Sequence, residues 1–233
     1  GYNWEKYRND RSLYYELLPE ECYSFNGESI IIKAGTEYTD VPISFNLDKI
    51  DKDKNFVLPI SIVSTSEYRI GEPKYSTILM NVVLSNAYTG TYSLSGTIRE
   101  VATGDFIDVR MTRTLRVVDP STVSLYAGNT SERVSNRENY RMNMTVNADS
   151  TLTFTPLHPD IIEINRDEPN LDPKNPRNKI LVERTVDVQN SHKSYIVTTF
   201  YMYYNYIDKT DPADPVEMRW EGTCSRTKTV FTK

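Results

Sequence analysis

Histidine and cysteine are nearly missing from this chain, with two of each in 233 residues. Nucleophilic catalysis through Ser–His or Cys–His needs a histidine beside the nucleophile. His158 stands between Leu157 and Pro159 at a strand end, and His192 stands in the turn "NSHK". Neither has a partner pattern, and neither G-x-S-x-G nor a phosphate-binding P-loop occurs. Cys22 and Cys224 are too few for a disulfide framework and lack metal-ligand spacing. They read as two buried thiols, with a single bridge as the alternative. No apolar run approaches the roughly 18–20 residues that span a bilayer. An excess of positive charge is also lacking: the net charge is −5, which argues against nucleic acid, because phosphate binding is driven by clustered Lys and Arg. The basic residues of "RMTRTLR" (110–116) are expected on one solvated strand face. The chain opens on Gly1 rather than Met, and the expectation is a trimmed chain whose targeting segment lies upstream.

What is present is β-structure. Tyrosine is abundant, 17 against 9 glycines, and a chain this rich in aromatic and β-branched residues folds. "CYSFNGESIIIKAG" places Asn26-Gly27 between two β-prone runs, a strong hairpin signal. "TDVPISFNL" alternates Val41, Ile43 and Phe45, while "NFVLPISIVS" and "YSTILMNVVLS" read as further strands. Pro59 marks an edge or bulge in the first of these. A boundary is expected at "SNAYTG" (85–90). Beyond it the pattern predicts hairpins around Thr103-Gly104-Asp105 and Asn147-Ala148-Asp149, an exposed proline-bearing loop over 165–179, and three closing strands. Helical periodicity is confined to "RNDRSLYYELL". The fold class expected is all-β.

In order, "YYELLPEECYSF", "IIIKAGTEYTDVPISFNLDKIDKDKNFVLPISIVS" and "YSTILMNVVL" resemble the immunoglobulin-like domain of Bacteroidetes surface lipoproteins. The features that carry the resemblance are Leu18-Pro19 with Tyr23, Ile32 with Gly35, the run Val57 to Ile62, and Ser76-Thr77. The remainder, from "GTYSLSG" to "YYNYID…EGTCSR", is similar to the second uncharacterised domain that follows in that family. The resemblance implies an immunoglobulin-like sandwich over residues 1–86, lacking its first strands because family members carry more before Tyr2-Asn3. An antiparallel calycin-like barrel or sandwich is expected over residues 90–233, since closure removes the exposed edges of so many consecutive strands. It also implies an outer-membrane lipoprotein on the cell surface, with a lipid anchor and neighbouring uptake proteins.

Candidate chemistry is sparse. Glu183 with Asp187, and Glu217 with Glu221, share strand faces and could serve as carboxylate pairs; alternating charge on a solvated strand gives the same pattern. "LDKIDKDKN" offers Asp48, Asp51, Asp53 and Asn55, and "DKTDPADPVE" offers Asp208, Asp211, Asp214 and Glu217, as calcium-type oxygen ligands. Turn chemistry explains both loops, so no catalytic residue, metal or cofactor is expected. The stretch "TTFYMYYNYID" carries the most information. One face holds Ile196, Thr198, Phe200, Met202, Tyr204 and Tyr206 and is the better core; the next strand buries Val216, Met218 and Trp220. Tyr201 and Tyr203, with Asn205 beyond, face the other way and are expected to be exposed. They form either a glycan-binding platform, since a tyrosine ring stacks on sugar C–H faces while its hydroxyl makes hydrogen bonds, or a packing seam. The expected function is non-catalytic: adhesion or capture of a polysaccharide or host glycan beside an uptake system. The alternatives are a structural spacer and a glycoside hydrolase or its accessory.

Overall fold

Alternation of apolar and polar side chains resolves into fourteen strands among the described residues. A computed structural model describes residue 3 and residues 14–25, 29–52, 54–166 and 176–231. The chain divides into two compact units, Gly1–Leu84 and Ser85–Lys233. It is all-β.

The first unit carries β1 (Tyr15–Leu17), β2 (Tyr23–Phe25), β3 (Ile43–Phe45), β4 (Asn55–Ser61) and β5 (Thr77–Val82). They form one sheet in the order β1-β4-β5 and a second of β2-β3. Phe56 and Leu58, two apart on β4, meet Leu18, Cys22 and Ile50 in a small shared core, as the two-residue period of a strand requires. The Asn26-Gly27 turn lies outside the described residues, but β2 pairs with β3 through Tyr23↔Phe45 rather than with the Ile30–Ile32 run. Those three isoleucines are exposed and outside any strand; three in succession give no apolar face to bury. Pro59 sits in the middle strand of its sheet, at a position that is locally an edge among the described residues. It is tolerated because β1 ends opposite Val57, leaving β4 one neighbour at Pro59. Part of the expected helix, Tyr15–Leu17, is strand β1, running parallel to β4; residues 8–13 lie outside the described residues. The Asn3 amide takes the place of a neighbouring peptide, donating to the Tyr15 carbonyl (2.7 Å) and accepting from its N–H (2.9 Å).

The second unit is an antiparallel meander: β6 (Gly90–Glu100), β7 (Phe106–Val117), β8 (Thr122–Tyr126), β9 (Arg141–Val146), β10 (Leu152–Pro156), β11 (Ile162–Arg166), β12 (Lys179–Val186), β13 (Lys193–Asp208) and β14 (Val216–Phe231). Its order is β10-β9-β8-β7-β6-β14-β13-β11, with β12 also on β13. β13 is long enough to hold two strands along one edge, β12 from Ser194 to Tyr201 and β11 from Asn205 to Asp208. A Thr151–Lys179 bridge, with Leu152 N–H on the Asn178 carbonyl (2.7 Å) and Ile180 N–H on that of Ser150 (3.0 Å), brings the β10 end back to β12. The sheet is thus a nearly closed barrel.

Its interior is solid. Trp220, Phe200, Tyr204, Met142, Met144 and Leu152 are among its buried side chains. The indole lies over Gly96 and Gly222, which face each other across β6 and β14. A Cβ at Gly96 or Gly222 would come within 3.0 or 2.9 Å of Trp220 Cζ2 and collide with the facing backbone. Only glycine allows strands and indole to approach this closely. The basic run 110–116 is not one solvated face: a spacing of three puts Arg113 opposite Arg110 and Arg116 on a strand, and Arg113 is fully buried. Its guanidinium donates to the carbonyls of Thr130 (2.6 Å) and Gly128 (3.0 Å), while Gly128 N–H donates to the Tyr204 hydroxyl (2.9 Å). The segment after β8 is thereby tied to the barrel interior. Both cysteines are buried free thiols.

Candidate functional site

Pairing of the two longest strands decides which outward side chains meet. On β13 and β14, Tyr201 stands against Thr223, Tyr203 against Glu221, and Asn205 against Arg219. Across β14, Thr223 faces Ser95 and Glu221 faces Thr97 of β6; these stand beside Arg110 and Asp108 of β7. Across β13, Lys179 faces Tyr201. Facing partners share a side of the sheet, with strands about 4.8 Å apart. One outer row therefore runs Arg110, Ser95, Thr223, Tyr201, Lys179, and the next runs Asp108, Thr97, Glu221, Tyr203.

Tyr203 departs from the expectation of an exposed pair. It is 7% exposed, because the Arg177 guanidinium lies 3.9 Å from its ring centre and that of Arg219 lies 5.8 Å away. Arg177 is also paired with Glu221 at 3.5 Å. Asn205 is 3% exposed and donates to Glu217 Oε1 (2.8 Å) while accepting from Arg219 Nε (3.0 Å). Asn165 donates to the same Glu217 oxygen (3.0 Å). Tyr203 and Asn205 are thus packing and hydrogen-bonding elements of the wall, not an open platform. Tyr201 alone of the three remains half-buried. The physical reason lies just before β12. β12 pairs with β13 only as far as Lys179↔Tyr201; Asn178, at φ +48°, then turns its Oδ1 to accept from Tyr203 N–H (2.7 Å). Arg177 follows onto the ring. Sequence reasoning missed Arg177, Arg219 and Asn165. Arg219 was legible as sharing a face with Glu217 and Glu221, but Arg177 reaches Tyr203 across a separation that no local pattern reports.

Arg177, Arg219 and Glu221 stand around Tyr203, whereas the row of Tyr201 carries Lys179 and Arg110. Planar hydrogen-bonding groups and strand hydroxyls beside a half-buried phenol suit a polyhydroxylated ligand.

The other candidates are accounted for by local structure. Glu217 and Glu221 are engaged as above. Asp187 accepts from Gln189 N–H (2.8 Å) and the Tyr195 hydroxyl (2.8 Å); these bonds, the Gln189 one first, hold its carboxyl below the usual range. Asp208 accepts from Thr210 N–H and the Tyr140 hydroxyl, both at 2.9 Å, and Asp211 from Ala213 N–H (3.0 Å), as aspartates in turns do. Asp53 of the first acidic loop lies outside the described residues, as do residues 167–175 of the proline-bearing loop. Among the described residues no group of three or more His, Cys, Asp or Glu is placed to hold a metal ion. His158 and His192 are exposed turn residues. Trp220 is fully buried core. No helix among the described residues is long and apolar enough to cross a membrane.

A family model for a C-terminal domain matches residues 76–225, and its N-terminal-domain counterpart matches residues 1–69. The chain belongs to this two-domain family. Crystal structures show the same fold. A Bacteroides ovatus protein of unknown function is 24% identical with a TM-score of 0.74, over 99% of this chain and 76% of that one. A Bacteroides ovatus multidomain protein including DUF1735 is 24% identical with a TM-score of 0.72, over the same shares. An auxiliary nutrient binding protein from Bacteroides thetaiotaomicron is 20% identical with a TM-score of 0.66, over 97% of this chain and 74% of that one. No curated protein matches. At 24% identity or less these structures show the fold, and none of the three is described as an enzyme.

Proposed function

We propose that this chain is a non-catalytic, lipid-anchored surface protein of a Bacteroidetes outer membrane, whose barrel captures a glycan on the outer face around Tyr201 for neighbouring uptake proteins. The observation that carries the reading is the second outer row. There Tyr203 is locked by Arg177, so Tyr201 is the aromatic ring left to a ligand, on a rigid strand between Thr223 and Lys179. Similarity to a structure described as an auxiliary nutrient binding protein supports a capture role. The hydroxyls of Thr223 and Ser95 along the row of Tyr201 support a polyhydroxylated ligand such as a sugar at this position.

A glycan array with the purified chain, followed by calorimetric titration of the best binder, tests this. One stacked ring contributes on the order of 1 kcal/mol, so Tyr201→Ala should weaken binding about fivefold at an unchanged unfolding midpoint. No binding on the array, or equal affinity of wild type and Tyr201→Ala, would refute the assignment.

A further inference from the structure

Strands β6 and β14 part company at one end of the barrel. Their register ends at the pair Ser225↔Ser93, although β6 continues to Gly90 against β7 and β14 continues to Phe231 against β13. A cleft of about 330 Å³ opens where they separate, lined by residues 91–93 of β6, residues 225–227 of β14 and Thr112 of β7. Such a volume is at the small end of ligand sites. Five of these seven side chains are Ser or Thr; the other two are Tyr92 and Arg226, and none is a carboxylate.

The cation is held in place. Arg226 Nη1 donates to the Thr89 carbonyl (2.6 Å), and the guanidinium lies 4.6 Å from the Tyr92 ring centre. Gly90 makes room for it: at φ +139°, a Cβ there would collide with Nη1. Tyr92 is 2% exposed and lies against Phe200 behind the cleft wall, and its hydroxyl has no hydrogen-bond partner among the described residues. Burial keeps that hydroxyl protonated, with its pKa pushed up to about 12 despite Arg226, so it is a donor. A buried donor without an acceptor is costly, and hydroxyls beside an anchored guanidinium are the groups that recognise oxyanions.

We propose that the cleft between β6 and β14 is a binding site for an oxyanion group, a sulfate or a carboxylate, read by Arg226 and the strand hydroxyls. The cleft lies two residues along β6, β7 and β14 from the row of Tyr201, and the proposal does not rest on a ligand there. The experiment titrates the whole chain with inorganic sulfate and, separately, with acetate, against chloride at matched ionic strength, following backbone amide shifts and the unfolding midpoint. Saturable shifts centred on residues 91–93 and 225–227 with either probe are expected, and the probe that binds more tightly identifies the group. Ser93→Asp, an exposed change that places a negative charge at the cleft, should weaken binding at least tenfold at an unchanged midpoint. Arg226→Gln, a second variant, should weaken binding as strongly, with a lower midpoint because its bond to the Thr89 carbonyl and its stack on Tyr92 are lost. The proposal is overturned if neither probe exceeds chloride, or if folded Ser93→Asp and Arg226→Gln proteins bind as the wild type does.

Discussion

Truncating Tyr203 to alanine should destabilise the barrel more than truncating Tyr201, although the two residues sit two apart on one strand face. A buried aromatic side chain replaced by alanine in a closed core costs about 3–5 kcal/mol. Tyr203 is covered on its outer side by a guanidinium that can settle into the space, so the lower part of that range applies. The Arg177 stacking at 3.9 Å accounts for about 0.5–2 kcal/mol of it. The expected loss is about 3 kcal/mol, or roughly 6–12 °C for a domain of this size. Tyr201 is half-buried and, among the described residues, carries no guanidinium on its ring. Its truncation should cost about 1 kcal/mol or less. Differential scanning calorimetry of the two single variants and of Arg177→Ala measures this directly. Tyr203→Ala combined with Arg177→Ala should be less destabilising than the sum of the two, because the stack is lost only once. A Tyr203→Ala midpoint within about 2 °C of wild type, or a larger loss for Tyr201→Ala, would refute the reading of Tyr203 as packing.

Alkaline pH should unfold the barrel early. Burial pushes the Tyr92 hydroxyl and the Cys224 thiol up to about 12, and raises Tyr204 and Tyr206 as well. In the unfolded chain, thiols ionise near about 8.5 and phenols near about 10. The native state therefore holds more protons above about pH 9, and its stability, complete below that, falls as pH rises toward 12; Tyr92 alone accounts for about 3 kcal/mol. Urea titrations at pH 8, 10 and 11, with phenolate absorbance, should show this decline, and a flat profile would contradict it. Gly96→Ala should lower the midpoint by several degrees, because its Cβ meets fixed backbone and the Trp220 ring rather than a movable side chain. An unchanged midpoint would mean that the strands can separate there without penalty.

The all-β class, the barrel strands and the buried face of β13 follow from residues close in sequence. Alternation over Phe200, Met202, Tyr204 and Tyr206, matched by Met218 and Trp220, is a local pattern with one consistent burial solution. The same rule applied to spacing also separates Arg113 from Arg110 and Arg116. Local pattern could not decide the partner of β2, since pairing depends on which distant strand offers a face. Nor could it decide that Tyr203 lies under Arg177, or that β6 and β14 part after Ser93 and Ser225 and leave Arg226 at a cleft. These features depend on register and chain crossing between residues far apart, and periodicity carries no information about either. Alternation determines which side of a strand a residue faces; only the tertiary structure determines what covers that side.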